Sequence, residues 1–244
     1  MTKNVEESAA RAVNNGCDLN CGVAFLHLPK AYEDGLVSEE AITAAVERLM
    51  EIRIRLGMMK DYPSPYEDLS YDLVECKEHV DLSVEAARRS MVLLKNENNA
   101  LPMQNGTVLV LGGGSFMQAL AHGGGSMNAA DLANATTVEQ ALTFDGLNVI
   151  TEGAQADAAL VVIGRSAGEG ADMPEGGLAL TAEELSLIAH AKAAAGKVIV
   201  LLSGDFYPEM ASLQADPEIS AILHLGNAGY RGAYGLADVI TGKA

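Results

Sequence analysis

Tryptophan is absent from these 244 residues, and Phe, Trp and Tyr together make up only 5%. The interior must therefore be built from Ala, Leu, Val and Ile. Basic residues are also scarce: 16 Lys and Arg stand against 33 Asp and Glu, a formal net charge of −17. That balance favours solubility and argues against a nucleic-acid partner or an anionic membrane, both of which select a basic face. Lys and Arg never run longer than the pair Arg88-Arg89. No segment approaches the roughly 18 to 20 apolar residues that a membrane-spanning helix needs. Cysteines number three, Cys17, Cys21 and Cys76. The count is odd, and the polar start "MTKNVEESAARAV" lacks the apolar stretch of a signal peptide. Reduced thiols in a cytoplasmic setting are the expectation.

What remains is 49% hydrophobic and 20% charged, ordinary for a globular chain long enough to bury a sizeable core. The first 60 residues read as helical. Ser38 caps "EEAITAAVERLMEIRIRLGM", Glu39 and Glu40 face the positive end of the dipole, and Gly57 ends the helix. Ile42, Val46, Leu49 and Leu56 recur near helical spacing, so one face needs a partner. "KDYPSPYEDLSYD" breaks regular structure as a linker. A second helix is predicted over about 77–94, with Val80, Val84, Ala87, Met91 and Leu94 as its stripe. After Pro102 short aliphatic runs alternate with helical stretches: "TVLVLG", "GLNVI", "AALVVIG", "KVIVLLSG" and "ISAILHLG". Helices are predicted near 136–144, 181–195, 207–214 and 230–241, the second opened by the Thr181/Glu184 capping box. Strands apolar on both faces and separated by helices predict an α/β fold, a mostly parallel sheet with helices on both faces.

Chemistry concentrates in "VVIGRSAGEGADMPEGG", residues 161–177. Gly164 to Gly168 fit G-x-S-x-G, a serine elbow, with Asp205 or Asp216 and then His224 in triad order. Four further glycines and a proline follow Ser166, however, where an elbow needs a helix, and His224 sits inside the apolar run "AILHLG". Glu169 fits its context better. It follows the carboxyl end of a parallel strand, among glycines that let a ligand approach, with Asp172 and Glu175 in the same loop. A carboxyl shielded there moves toward the pKa that a general acid needs; the alternative is a solvated acidic loop. "VLVLGGGSFM" fails as a dinucleotide fingerprint, because Met117 stands where the third glycine belongs, and no cofactor is expected. "AHGGGSMNAAD", residues 121–131, offers Ser126 and Asn128 to hydroxyl groups, or is only a connection. Cys17, Cys21, Cys76 and His79 have poor spacing for zinc, and no metal is expected.

Several of these stretches together resemble glycoside hydrolase family 3, in particular its bacterial β-glucosidases and β-xylosidases. "AVNNGCDLNCG" with the helix after it is similar to the family's run from the end of its barrel domain. "HVDLSVEAARRSMVLLKNENNALPM" is similar to the interdomain signature and is the most specific match. "GGGSMNAAD", "VIGRSAGEGADM" and "GLADVITGK" follow in the family's order. The resemblance implies a retaining β-glycosidase acting on terminal β-glucosides or β-xylosides. Glu169 would be its acid/base, and Gly124, Gly125, Ser126 and Asp172 would contact the substrate. It implies residues 1–60 as helices left over from a barrel domain. Residues 61–102 would be a linker and interdomain helix, and 103–244 an α/β sandwich lacking its last strand. The chain departs from the family in three ways: no nucleophilic aspartate, Met173 where arginine is usual, and an end at Lys243-Ala244. The isolated chain is therefore expected to be inactive, with a β-glycoside or oligosaccharide as ligand and a missing barrel domain or a second copy as partner. Two other readings stand beside it. One is a non-catalytic carbohydrate-binding or split-subunit module; the other is a serine hydrolase using Ser166.

Overall fold

The helices of the amino-terminal part start at side-chain caps. In the computed structural model, Asn4 accepts from the Glu7 amide to open α1 (Val5–Asn14), and Ser38 accepts from the Ala41 amide to open α3 (Glu39–Arg55). A short 3-10 turn and α2 (Leu28–Glu33) lie between them. Helix α3 stops where Gly57 takes a positive φ of 69° and the Gly57 and Met58 amides return to the Ile54 and Arg53 carbonyls. A side chain at Gly57 would collide with Ser64, so the turn also needs glycine for space. The structure describes residues 2–59, 61–112, 135–153, 155–165, 167, 171–204, 206–229 and 231–244.

The chain divides into two units, Met1–Leu73 and Val74–Ala244. The first is held by a small core of Ala10, Val13, Ala31, Val37 and Ala45, with Phe25, Leu28, Ala41 and Ile42 packed against it. Helix α3 thus contributes mainly its alanine face. Val46, Ile52 and Leu56, part of the apolar stripe predicted to need a partner or lying beside it, remain exposed.

In the second unit, α4 (Lys77–Ser90) ends earlier than the predicted 77–94 helix. Met91 is extended, and Val92–Asn96 form β1. The run Val92-Leu93-Leu94 suits a strand as well as a helix by periodicity alone. Antiparallel pairing with β6, Val92 opposite His224 and Asn96 opposite Ala221, decides for the strand. The remaining elements are β2 (Thr107–Gly112), α5 (Val138–Phe144), β3 (Asn148–Ile150), β4 (Ala158–Arg165) and α6 (Ala182–Ala194), followed by β5 (Val198–Gly204), α7 (Met210–Ala215), β6 (Ile219–Gly226) and α8 (Gly232–Thr241).

These strands form one sheet in the order β1-β6-β5-β4-β2-β3, parallel throughout except at β1. Successive residues of β4 and β5 serve opposite faces. Leu160, Val162, Ile199 and Leu201 pack with Leu142 of α5 and Leu236, Ala237 and Ile240 of α8. Val161, Ile163, Val200 and Leu202 pack with Ile188 and Ala191 of α6 and Leu213 of α7. Leu160, Ile163, Ile199, Leu201 and Leu202 are fully buried, each worth roughly 1.5–3 kcal/mol over leaving it in water. Helix α4 lies close on α8 because position 235 is glycine: a Cβ there would stand 3.0 Å from Ala87 Cβ. An Arg88–Asp238 ion pair locks the two helices. The architecture is the predicted one: an α/β unit, mostly parallel, with helices on both faces.

Candidate functional site

Chemistry in such a sheet belongs at the carboxyl ends of its strands, and here three of the parallel strands end in glycine. Strand β2 ends at Gly112 (φ 75°), β5 at Gly204 (φ 101°) and β6 at Gly226 (φ 59°). Gly112 lies in register with Val162, and a Cβ there would be 2.8 Å from the Val162 carbonyl. Gly204 is tighter still, since its Cβ would come within 2.0 Å of the Arg165 carbonyl oxygen. Strand β4 lies between β2 and β5 and runs on to Arg165, which pairs with Gly204. The two segments singled out from the sequence therefore leave neighbouring strands on one edge of the sheet.

Of the predicted site residues, Glu169, Gly124, Gly125 and Ser126 lie outside the described residues, as do Ser166, Asn128 and Asp205. Asp172 is described. It is exposed, and one carboxylate oxygen accepts from the Met173 amide at 2.9 Å. Its other oxygen has no hydrogen-bond partner among the described residues. Beyond it the chain turns twice: Gly177 donates to the Pro174 carbonyl and Ala179 to that of Gly176. The Glu209 amide then fastens to the Leu178 carbonyl at 2.7 Å.

The structure brings forward two residues whose role the sequence does not disclose. Arg165 is 7% exposed, and arginine is almost never buried without a partner. Its partner is Glu184 of α6, whose carboxylate it meets with both terminal nitrogens. Glu184 also accepts from the Thr181 amide at 2.8 Å while Thr181 Oγ1 accepts from Glu184's own amide, closing the predicted capping box. Burial pushes the Glu184 carboxyl up, but the Arg165 and Thr181 bonds outweigh it and hold the group below its ordinary range. In the other direction, the bond to Glu184 raises Arg165 further against the opposing effect of burial. A capping signal marked Glu184, and the single charge ending an apolar strand marked Arg165. Neither signal tells that the two meet.

Of the triad partners, Asp216 and His224 are described, and they do not come together. His224 lies inside β6 with Tyr207 stacked on it, ring centroids 4.5 Å apart, and burial lowers the imidazole pKa. Asp216 precedes the amino end of that strand, and Ile219 to His224 alone spans about 16 Å. There Asp216 pairs with Lys192, and Lys95 Nζ donates to the Gln214 and Asp216 carbonyls. An Asp216–His224 relay is ruled out. Among the described residues no three His, Cys, Asp or Glu side chains gather to hold a metal ion. No helix among the described residues is long and apolar enough to cross a membrane.

Comparison with known proteins points one way. The model of the glycosyl hydrolase family 3 C-terminal domain matches residues 91–244. Beta-D-xylosidase 1 of Arabidopsis thaliana is 30% identical, over 100% of this chain and 34% of that protein. Probable beta-D-xylosidase 6 of the same plant is 29% identical, over 99% of this chain and 34% of its own length. Among solved structures, a GH3 exo-beta-xylosidase (XlnD) bound to a xylobiose aziridine probe superposes with a TM-score of 0.77 at 24% identity. It covers 99% of this chain and 34% of that one. A beta-glucosidase from Listeria innocua in complex with isofagomine gives 0.75 at 19%, covering 100% and 37%. This chain thus spans about a third of the length of the relatives it matches.

Proposed function

We propose, from the premise that the chain belongs to glycoside hydrolase family 3, that it carries the proton-transfer half of a retaining β-glycosidase acting on terminal β-xylosides or β-glucosides. Glu169 is the acid/base in this reading. It protonates the oxygen of the departing group, then takes a proton from the water that releases the sugar. The attacking carboxylate lies outside this sequence, on the barrel domain, about 5 to 5.5 Å away in the assembled site. The isolated chain has no turnover, because a double displacement needs both groups.

One observation carries the reading. The family match extends over the whole sheet, and the segment with Glu169 leaves the carboxyl end of β4, beside the strand from which the glycine-serine segment leaves. Asp172 is the one predicted substrate contact among the described residues, and its exposed carboxylate suits a sugar hydroxyl. Met173, where the family usually has arginine, contributes no charge, so Asp172 has no cationic neighbour from that position.

The test is reconstitution. The chain is assayed on aryl β-xyloside and aryl β-glucoside, alone and joined to a family 3 barrel. No hydrolysis is expected alone. The joined protein should turn over and lose about 10²- to 10⁴-fold in Glu169→Gln, the range of general acid–base catalysis. Hydrolysis by the unaccompanied chain, abolished in Glu169→Gln, would overturn the division between two domains. Full activity of the joined Glu169→Gln protein would overturn the role of Glu169.

A further inference from the structure

Among the described residues, one hydroxyl is buried with nothing to bond. Ser203 is 2% exposed, and its Oγ has no hydrogen-bond partner. Such a group is costly and calls for a physical reason. Its register supplies one. Ser203 stands opposite Gly164 of β4 and Gly226 of β6, and neither has a side chain to offer. Along β5, Ile199 and Leu201 face the layer built by α5 and α8. Two residues on, Ser203 points into that same layer.

Helix α8 begins at the same end of that layer. Its last turn is tied to the amino end of the sheet, where the Met103 amide donates to the Ile240 carbonyl just before β2 begins. Its first turn therefore lies at the carboxyl ends of the strands, reached from Gly226 through residues 227–231. Arg231 stands at the N-cap, and its side chain makes no capping bond. The Gly232 and Tyr234 amides turn back to the Gly229 and Arg231 carbonyls. Between them, the Ala233 amide has no partner among the described residues and stands at the positive end of the macrodipole. Arg231 adds a full charge there. Its Nη1 donates at 3.1 Å to Oγ1 of Thr136, itself 7% exposed, which ties the guanidinium to the residues leading into α5. Asn227 is exposed and Gly226 and Gly229 are half-buried, so the approach to Ser203 runs along this turn.

We propose that Ser203, the first turn of α8 and Arg231 together bind a small oxyanion of the phosphate type. Three kinds of donor are brought to one end of one layer: a hydroxyl with no other partner, a helix-terminal amide and a guanidinium. A sugar hydroxyl would accept from the same donors, but it lacks the charge that the helix end and the arginine select. In a chain of net charge −17 such a place stands apart from the acidic remainder. The inference does not depend on the role of Glu169.

In the experiment, sodium phosphate is titrated calorimetrically into the full 244-residue chain at constant ionic strength, with sodium chloride as the blank. Saturable binding of a single phosphate per chain is expected. Ser203→Ala and Arg231→Gln should each weaken it by at least about 10-fold. Arg89→Gln, which removes an exposed charge on α4, should leave it unchanged. Without phosphate, Ser203→Ala should melt no lower than the wild type, because it deletes a hydroxyl that bonds nothing. A lower melting point would show the hydroxyl bonded within the fold and overturns the proposal. So does a titration with no heat beyond the chloride blank. An equal loss of affinity in Arg89→Gln, the mark of diffuse attraction to charge, overturns it as well. Should Arg231→Gln fail to fold, Ser203→Ala decides, and unchanged affinity in that variant overturns the proposal. Glucose 1-phosphate, titrated in the same way, identifies the source of the anion. Tighter binding than inorganic phosphate assigns the site to a phosphate ester, and equal or weaker binding assigns it to the free ion.

Discussion

Gly204 is the residue at which space is shortest. Its φ of 101° lies in the region side chains avoid, and its Cβ would stand 2.0 Å from a backbone oxygen that cannot rotate away. Gly204→Ala is expected to cost more than about 2 kcal/mol, measured by denaturant midpoint. Gly196, with nothing within 4 Å of a Cβ, should accept alanine almost freely. Two titrating residues give a second expectation. Burial lowers the His224 pKa, so its contribution to stability is whole above about pH 6.5 and drains as pH falls toward the folded-state value. Glu184 is also lowered, so its contribution is present above about pH 4.3 and is lost below it. Thermal melts between pH 8 and 3 should therefore flatten in the upper window for His224→Gln and in the lower one for Glu184→Gln. An identical pH profile in either variant would contradict the assigned cause. At this scale the sequence shows which residue types are unusual, a lone arginine or a glutamate at a helix start, but not their meeting. Residues 165 and 184 are nineteen positions apart, and only the packing of α6 beside β4 brings them into contact.

Elements were more legible than residues. The five aliphatic runs after Pro102 all became parallel strands, because a run apolar on both faces has nowhere to go but between two layers of helices. Caps at Ser38 and Thr181 opened helices where expected, since a side-chain oxygen three residues before an orphan amide is a local event. The strand β1 was not legible. Its neighbour β6 lies more than a hundred residues on, and Leu93 and Leu94 look like the end of the preceding helix until that partner is known. The difference is measurable. Leu93 is 49% exposed, so Leu93→Lys should shift Tm by no more than a few degrees. In a continuous 77–94 helix, the burial pattern would be different and Leu94 would be the costly site. Thr181→Ala should cost about 1 kcal/mol, the usual worth of a cap. Thr137→Ala, which removes the other capping box, should cost a similar amount.

Taken whole, the molecule has two units with unequal cores. The first rests on five small buried side chains, and the second on two layered clusters either side of a six-stranded sheet. Calorimetry is expected to resolve two transitions, and residues 74–244 expressed alone should keep the upper one. A single transition for the full chain, absent from 74–244, would show that the units fold only together. Exposed Val46, Ile52 and Leu56, with an apolar edge strand in the other unit, favour self-association, which light scattering would register as a dimer or larger. The lysines at the opposite pole of the sheet have another consequence. Lys192 and Lys95 fasten Asp216 near the surface at the amino end of β6, while Arg165 and Glu184 meet in shelter at the carboxyl end. Added electrolyte weakens the first and scarcely reaches the second. Ionic strength should therefore soften the floor of the sheet and leave the geometry of its rim untouched.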